Sequence, residues 1–132
     1  MILNSDIKFI QPDTVKNLYE RLISKSEFSV AGPKLLLEDL SCQEFDHGEL
    51  HGIYSWMKNN YGSSYWKPRD SEAEAAWVSG AVFLCDKKVF EKVNGFDEKF
   101  FLYKEEEDLC KRIRDEGFKI LYFPEVRVLH IG

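Results

Sequence analysis

Four consecutive acids, Glu105-Glu106-Glu107-Asp108, open a segment in which Leu109, Cys110 and Ile113 are apolar at i, i+1 and i+4, with Gly117 as a stop. Acids in a first helical turn complement the helix dipole, worth about 0.3–1 kcal/mol each. That accounts for Glu105, Glu107 and Asp108, and Asp108 also stands four residues before Arg112, a favourable pairing distance. Glu107 falls with Lys111 and Arg114 on a solvated side. Glu106 is left over. It precedes the apolar residues by three, four and seven positions and so shares their face. A carboxylate directed inward from a first turn is either paired or used. Its use would be as a general base held within reach of a substrate hydroxyl. A structural ion pair would give the same pattern.

A second group of chemically capable residues lies at the chain's two ends. Asn4-Ser5-Asp6 follows the apolar pair Ile2-Leu3, which reads as the end of a strand. Ligands of α/β sheets bind beyond the carboxyl ends of strands, so Asp6 could hold a divalent metal there. All three residues are also ordinary turn formers. His130 closes a segment in which Val126 and Val128 alternate, and from a strand end it would project toward the same edge as Asp6. One Asp oxygen and one imidazole nitrogen could share an ion. Oxygen-rich sites suit Mg or Mn, and the imidazole tilts the choice toward Mn. Gly80, inside Trp77-Val78-Ser79-Gly80-Ala81, marks either close approach of a ligand or backbone, or tight packing of strand on helix.

The elements that must position these groups are mixed α and β. Pro12 and the helical spacing of Val15, Leu18, Tyr19, Leu22 and Ile23 predict an amphipathic helix over about 12–26. Residues 28–37 read as a strand interrupted by Gly32-Pro33. Residues 77–85 read as one continuous buried strand. Asp86 can cap a short helix through Val93. The acid-led helix covers about 104–116. A strand follows over 118–123, Pro124 breaks it, and 126–130 forms another. Between about 38 and 75 no period is sustained, and the stretch holds His47, His51, three glycines and many aromatics. Long irregular segments in a domain are usually functional or mobile. The expectation is a single α/β domain over 1–132, a mixed sheet flanked by helices, with 39–75 as an irregular insertion. Opening in mid-strand suggests the later part of a larger fold.

Composition narrows the function classes. The chain has 132 residues, 44% of them apolar, enough for one domain with a core. Net charge is -5 with acids and bases interspersed, which argues against nucleic acid, since that needs a basic face. No run approaches the roughly 20 apolar residues of a membrane span, and no basic-then-apolar signal pattern opens the chain. Cys42, Cys85 and Cys110 form no CxxC pair, so neither a disulfide framework nor a zinc site is indicated, and reduced thiols in cytoplasm are the default.

Taken together, several segments resemble the second half of family 2 glycosyltransferases, in particular the rhamnosyltransferase-like bacterial enzymes that build surface polysaccharides. The resemblance is carried by Trp77-Val78-Ser79-Gly80-Ala81, Asn94-Gly95-Phe96-Asp97-Glu98, Phe100-Phe101, Tyr103, Glu105-Glu106, Asp108-Leu109-Cys110, Arg112, Gly117, Pro124 and His130. Leu3-Asn4-Ser5-Asp6 resembles that family's variant of a metal-binding Asp-x-Asp motif, and Gly32-Pro33-Lys34 also fits. Residues 77–130 are the specific part.

This resemblance implies a partial GT-A (nucleotide-diphospho-sugar transferase) fold lacking the N-terminal nucleotide-binding strands. It implies inverting transfer from a nucleotide-sugar donor to a glycan or lipid-linked acceptor, with Mn or Mg on the donor diphosphate. Asp6 would hold the metal or the sugar–phosphate end with Asn4 beside it, and His130 would be a further metal ligand. Trp77, Ser79, Gly80 and Ala81 would border the donor sugar. Asp97, Glu98 and Phe101 would shape the acceptor side, and 39–75 would be an acceptor-side insertion. Glu106 matches the catalytic base, with Glu105 able to share the work. The family usually has Asp at that position, and the extra methylene moves the carboxylate by roughly 1 Å, a misplacement that can cost about 10²-fold. The enzyme would work in the cytoplasm at the inner face of the membrane, as a peripheral protein.

A different reading is a noncatalytic remnant binding carbohydrate or protein through the aromatics of 51–77: Tyr54, Trp56, Tyr61, Tyr65, Trp66 and Trp77. Under either reading, a sheet without its first strands has an uncovered edge, which invites a homodimer.

Overall fold

Val30, Ala31, Leu35 and Leu36 are all buried, and all lie on one strand, β3 (Phe28–Leu36). Burial on both faces is what a near-continuous apolar run predicts. The computed structural model describes residues 1–49, 66–99 and 104–131. In it β3 is central to a mixed sheet of order β1 (Ile2–Leu3), β7 (Val82–Cys85), β3, β8 (Lys119–His130), β2 (Ile7–Phe9). The β3–β8 pairing is parallel and the others are antiparallel. β5 (Ala73–Ala75) pairs with β8 at Ile120–Tyr122, and β2 pairs with it at Val128–His130. β4 (His47–Gly48) and β6 (Trp77–Val78) form a separate two-stranded ribbon.

Helices cover both faces. Helix α1 (Thr14–Ile23) buries Leu18 and Leu22 against Ala31, Leu35, Leu121 and Val128. Helices α2 (Lys87–Lys92) and α3 (Glu105–Asp115) cover the other face, where Leu109, Cys110 and Ile113 meet Val30, Phe83, Ile120 and Tyr122. Neighbours on one strand, such as Ile120 and Leu121, thus serve opposite layers, as the two-residue period of a strand requires. Asp86 caps α2, accepting from Lys88 N (2.8 Å) and Val89 N (3.2 Å).

Four expectations are corrected. The strand over 28–36 is not interrupted: a Cβ on Gly32 would fall 2.5 Å from Val78 Cβ, so the glycine admits β6 against β3 and is not a break. The apolar run 77–85 is two strands, β6 and β7, separated by a bend at Ser79–Ala81. Pro124 does not end a strand. The β3–β8 register passes from Pro33↔Phe123 to Lys34↔Arg127, so Pro124 sits in a bulge where no ladder N–H is needed. The irregular stretch contains β4 and β5, strands of two and three residues, too short to carry a period.

Gly48 has the same function as Gly32, because a Cβ there would overlap the Trp77 indole. Gly48→Ala is expected to destabilise the fold by about 1–3 kcal/mol through overpacking. Gly80→Ala should be near neutral, since its added methyl would meet only Glu106, at 3.8 Å. Urea midpoints of the two variants check this; equal midpoints would contradict it. No helix among the described residues is long and apolar enough to cross a membrane.

Candidate active site

The bend between β6 and β7, the first turn of α3, the segment 43–49 and the end of β8 meet around a cleft of about 840 Å³. Asn4, Trp77, Ser79, Gly80 and Ala81 line it, with Glu105 and Glu106 from α3 and His130 from β8. Residues from distant parts of the chain are therefore gathered by the sheet order.

Glu106 is half-buried at the start of α3, and the Gly80 backbone lies against its side chain. Burial pushes its carboxyl above the ordinary range, and the Glu105 and Glu107 charges push the same way. The N–H groups of Glu106 and Gly80 oppose the shift. Its Oε2 is buried with no hydrogen-bond partner, as is Glu105 Oε2. Asp108 is instead paired with Arg112 at 2.7 Å and Glu107 with Lys104 at 2.7 Å, so those two acids have structural partners. Lys111 pairs with Asp115, not with Glu107. A Cβ on Gly80 would meet the helix only at Glu106, at an ordinary contact distance of 3.8 Å, so tight packing is not what requires a glycine there.

At the other end, His130 is opposite Ile7 in the β2–β8 ladder, which brings Asp6 beside it. His130 Nε2 lies 3.3 Å from Asp6 Oδ1. The Nδ1 of the same ring lies 2.8 Å from Gln43 Oε1. With the Gln43 carbonyl as its partner, Nδ1 would be the N–H donor, and Nε2 would face a carboxylate oxygen. Both facing atoms are buried without a hydrogen bond. A divalent ion between them would satisfy both atoms, since two ligands bonded at about 2.1 Å and at right angles sit about 3 Å apart. These residues fit a divalent cation as a pair that leaves positions open. Among the described residues no set of three or more His, Cys, Asp or Glu is grouped to hold a metal ion. The remaining lining includes Glu44, Glu49, Lys67 and Lys104. With Glu105, Glu106 and Glu107, acids outnumber lysines among the described lining residues, which disfavours a diphosphate unaccompanied by a cation.

Asp97 and Glu98 do not line the cleft. Asp97 Oδ1 accepts from Lys99 N at 3.0 Å and closes a turn, and Glu98 is exposed. Phe96 lines the cleft in their place. Phe101, Tyr54, Trp56, Tyr61 and Tyr65 lie outside the described residues. Cys85 and Cys110 are poor nucleophiles, because burial pushes both thiols up to about 12.

Sequence reasoning missed the wall formed by residues 43–48. Asp46 is buried and accepts from Trp66 Nε1 (3.2 Å), Tyr122 OH (2.7 Å) and Leu35 N (3.2 Å), with His47 Nδ1 at 2.6 Å. His47 stacks on Tyr122 with ring centroids 3.9 Å apart. The available signal was weak: an adjacent Asp-His pair inside a patternless stretch.

A family described as the N-terminal domain of galactosyltransferase matches residues 61–131. An N-acetylglucosaminyl-diphospho-decaprenol L-rhamnosyltransferase of Mycobacterium tuberculosis is 34% identical over 87 residues, covering 63% of this chain and 28% of that protein. The rhamnosyltransferase WbbL of Escherichia coli is 35% identical over 60 residues, 46% of this chain and 23% of that protein. The matched part of the chain thus spans about a quarter of the length of these two relatives. In fold, it is similar to a crystal structure of GalNAc-T7 with UDP, GalNAc and Mn2+, with TM-score 0.63 and 16% identity. That match covers 99% of this chain and 27% of the other.

Proposed function

The chain belongs to the glycosyltransferase family described as the N-terminal domain of galactosyltransferase, and from that premise we propose that its cleft serves inverting transfer of a sugar from a nucleotide-diphosphate sugar. The acceptor is a hydroxyl of a glycan or lipid-linked sugar in surface polysaccharide synthesis. The observation that carries this reading is Glu106: a half-buried carboxylate with an unpartnered oxygen, in the same cleft as His130.

In this reading Asp6 and His130 hold Mn or Mg, with Asn4 beside them, and Trp77, Ser79, Gly80 and Ala81 border the donor sugar. The ion, when bound, supplies charge neutralisation at the leaving diphosphate. Glu106 takes the proton from the acceptor hydroxyl, with Glu105 as its neighbour in reserve. The acceptor oxygen bonds to the anomeric carbon from the face opposite the diphosphate, and the carbon–oxygen bond to the diphosphate breaks with its electron pair. The name of the Mycobacterium relative, an N-acetylglucosaminyl-diphospho-decaprenol L-rhamnosyltransferase, supports an acceptor whose sugar is N-acetylglucosamine on a diphospho-lipid. A lipid-linked acceptor would bring the chain to the inner face of the membrane from the cytoplasm. In this reading Asp97, Glu98 and Phe101 shape the acceptor side. Among the described residues β1 pairs with β7 alone, so its other side is where a second copy would add.

Calorimetric titration with Mn plus UDP, dTDP or GDP tests the donor half. Binding to one nucleotide is expected, lost in His130→Ala and Asp6→Ala and retained in Glu106→Gln. A folded chain that binds none of them with Mn, or a His130→Ala variant that binds as the native chain does, would refute the donor half.

A further inference from the structure

Phe45 and Trp66 line the cleft, and the reaction outlined above leaves both unused. Gln43, two residues before Phe45, bonds His130. Asp46, one residue after it, accepts from Ser79 N through its backbone carbonyl at 2.9 Å, and Ser79 leads into Gly80, which lies against Glu106. Phe45 therefore stands between the Asp6–His130 end and the Glu106 end. Its ring centroid is 6.4 Å from that of Trp66, tilted by 44°.

Packing does not explain the exposure of Phe45. Phe45 is 42% exposed, although burial would be the apolar default, and it is held there at φ 61°, a left-handed backbone unfavourable for a residue with a Cβ. Trp66 is only half-buried, yet its indole is fixed by the Nε1 bond to buried Asp46. The result is two aromatic faces in the same cleft as Glu44. A pyranose ring has the matching chemistry: an apolar face of C–H groups and a rim of hydroxyl donors. A phosphate would meet the acids of this lining with like charge.

We infer that Phe45 and Trp66 form a stacking subsite for the pyranose ring of the acceptor, presenting its hydroxyl toward Glu106. Naming that ring as the acceptor rests on the transfer reading; the ring recognition does not. The probe is methyl β-N-acetylglucosaminide, followed by saturation-transfer NMR and titration on the whole chain. The expected result is saturation of the ring C–H face, with binding about tenfold weaker in Trp66→Ala, equivalent to about 1.4 kcal/mol, and partly restored in Trp66→Phe, which keeps an aromatic face but not the Nε1 bond that fixes it. Phe45→Ala, which breaks no hydrogen bond with its side chain, should weaken binding similarly and guards against a Trp66 variant that fails to fold. Binding should persist with saturating Mn and nucleoside diphosphate. No binding to the folded chain, or unchanged binding in both variants, overturns the inference. Displacement by the nucleotide also overturns it, because the ring would then be the donor's. Glycoside binding without nucleotide binding would uphold the stacking subsite and defeat the transfer reading instead.

Discussion

Glu106→Gln is expected to lower turnover by about 10²–10⁴-fold, the usual contribution of a positioned general base, while Mn-dependent nucleotide binding is unchanged. The same substitution should stabilise the protein at neutral pH. Burial raises the Glu106 carboxyl in the folded chain above its unfolded value. Between those two values the native state binds more protons than the unfolded state, so stability falls as pH rises through that window. Above it the buried charge is a standing cost, which glutamine removes. A structural ion pair would behave oppositely, losing stability on substitution. The pH–rate profile provides a further test: the base must be ionised, so the acidic limb should lie above the ordinary carboxylate range and disappear from the residual rate of Glu106→Gln. Thermal midpoints and single-turnover rates at several pH values check both statements. Loss of activity together with loss of stability would place Glu106 among the structural acids, alongside Asp108 and Glu107.

Local physics made much of this architecture legible and tertiary contact hid the rest. The acids of α3 and the Asp86 cap act within a few residues, so their patterns survive in the sequence. The alternation of Val126 and Val128 likewise placed His130 at a strand end, and the sheet order brought Asp6 to it. Gly32-Pro33 and Pro124 misled because turn-forming residues can be required by something far along the chain. Gly32 clears Val78, and Pro124 occupies a bulge whose register is set by β3. The wall at 43–48 left almost no trace. β4 is two residues long, and the partners of Asp46 come from β3, β8 and Trp66, at separations no period can encode.

That wall carries the largest stability effect expected in the molecule. Asp46 is 1% exposed and fills both of its oxygens: Oδ1 with Trp66 and His47, Oδ2 with Tyr122 and Leu35. Burial and the Asp46 charge both push the Tyr122 phenol up, so it remains a donor. Asp46→Ala would leave the Tyr122, Trp66 and Leu35 donors unsatisfied, each costing about 1–3 kcal/mol when buried. The neighbouring cleft lets water reach part of the gap, so about 3–5 kcal/mol in all is expected. Asp46→Asn should cost less, about 1–2 kcal/mol. Its oxygen can keep Tyr122 and Leu35 while its NH₂ faces His47, whose ring can change tautomer to accept, and only Trp66 loses its partner. The ordering Ala below Asn below native in urea midpoint is one measurement. The second is Trp66 emission, which should shift toward that of exposed indole in both variants because both lose the Nε1 bond. An Asp46→Ala protein within about 1 kcal/mol of native would mean that the four groups find water as readily as they find Asp46. The wall would then be too loose to hold Trp66 and Phe45 in a preset geometry.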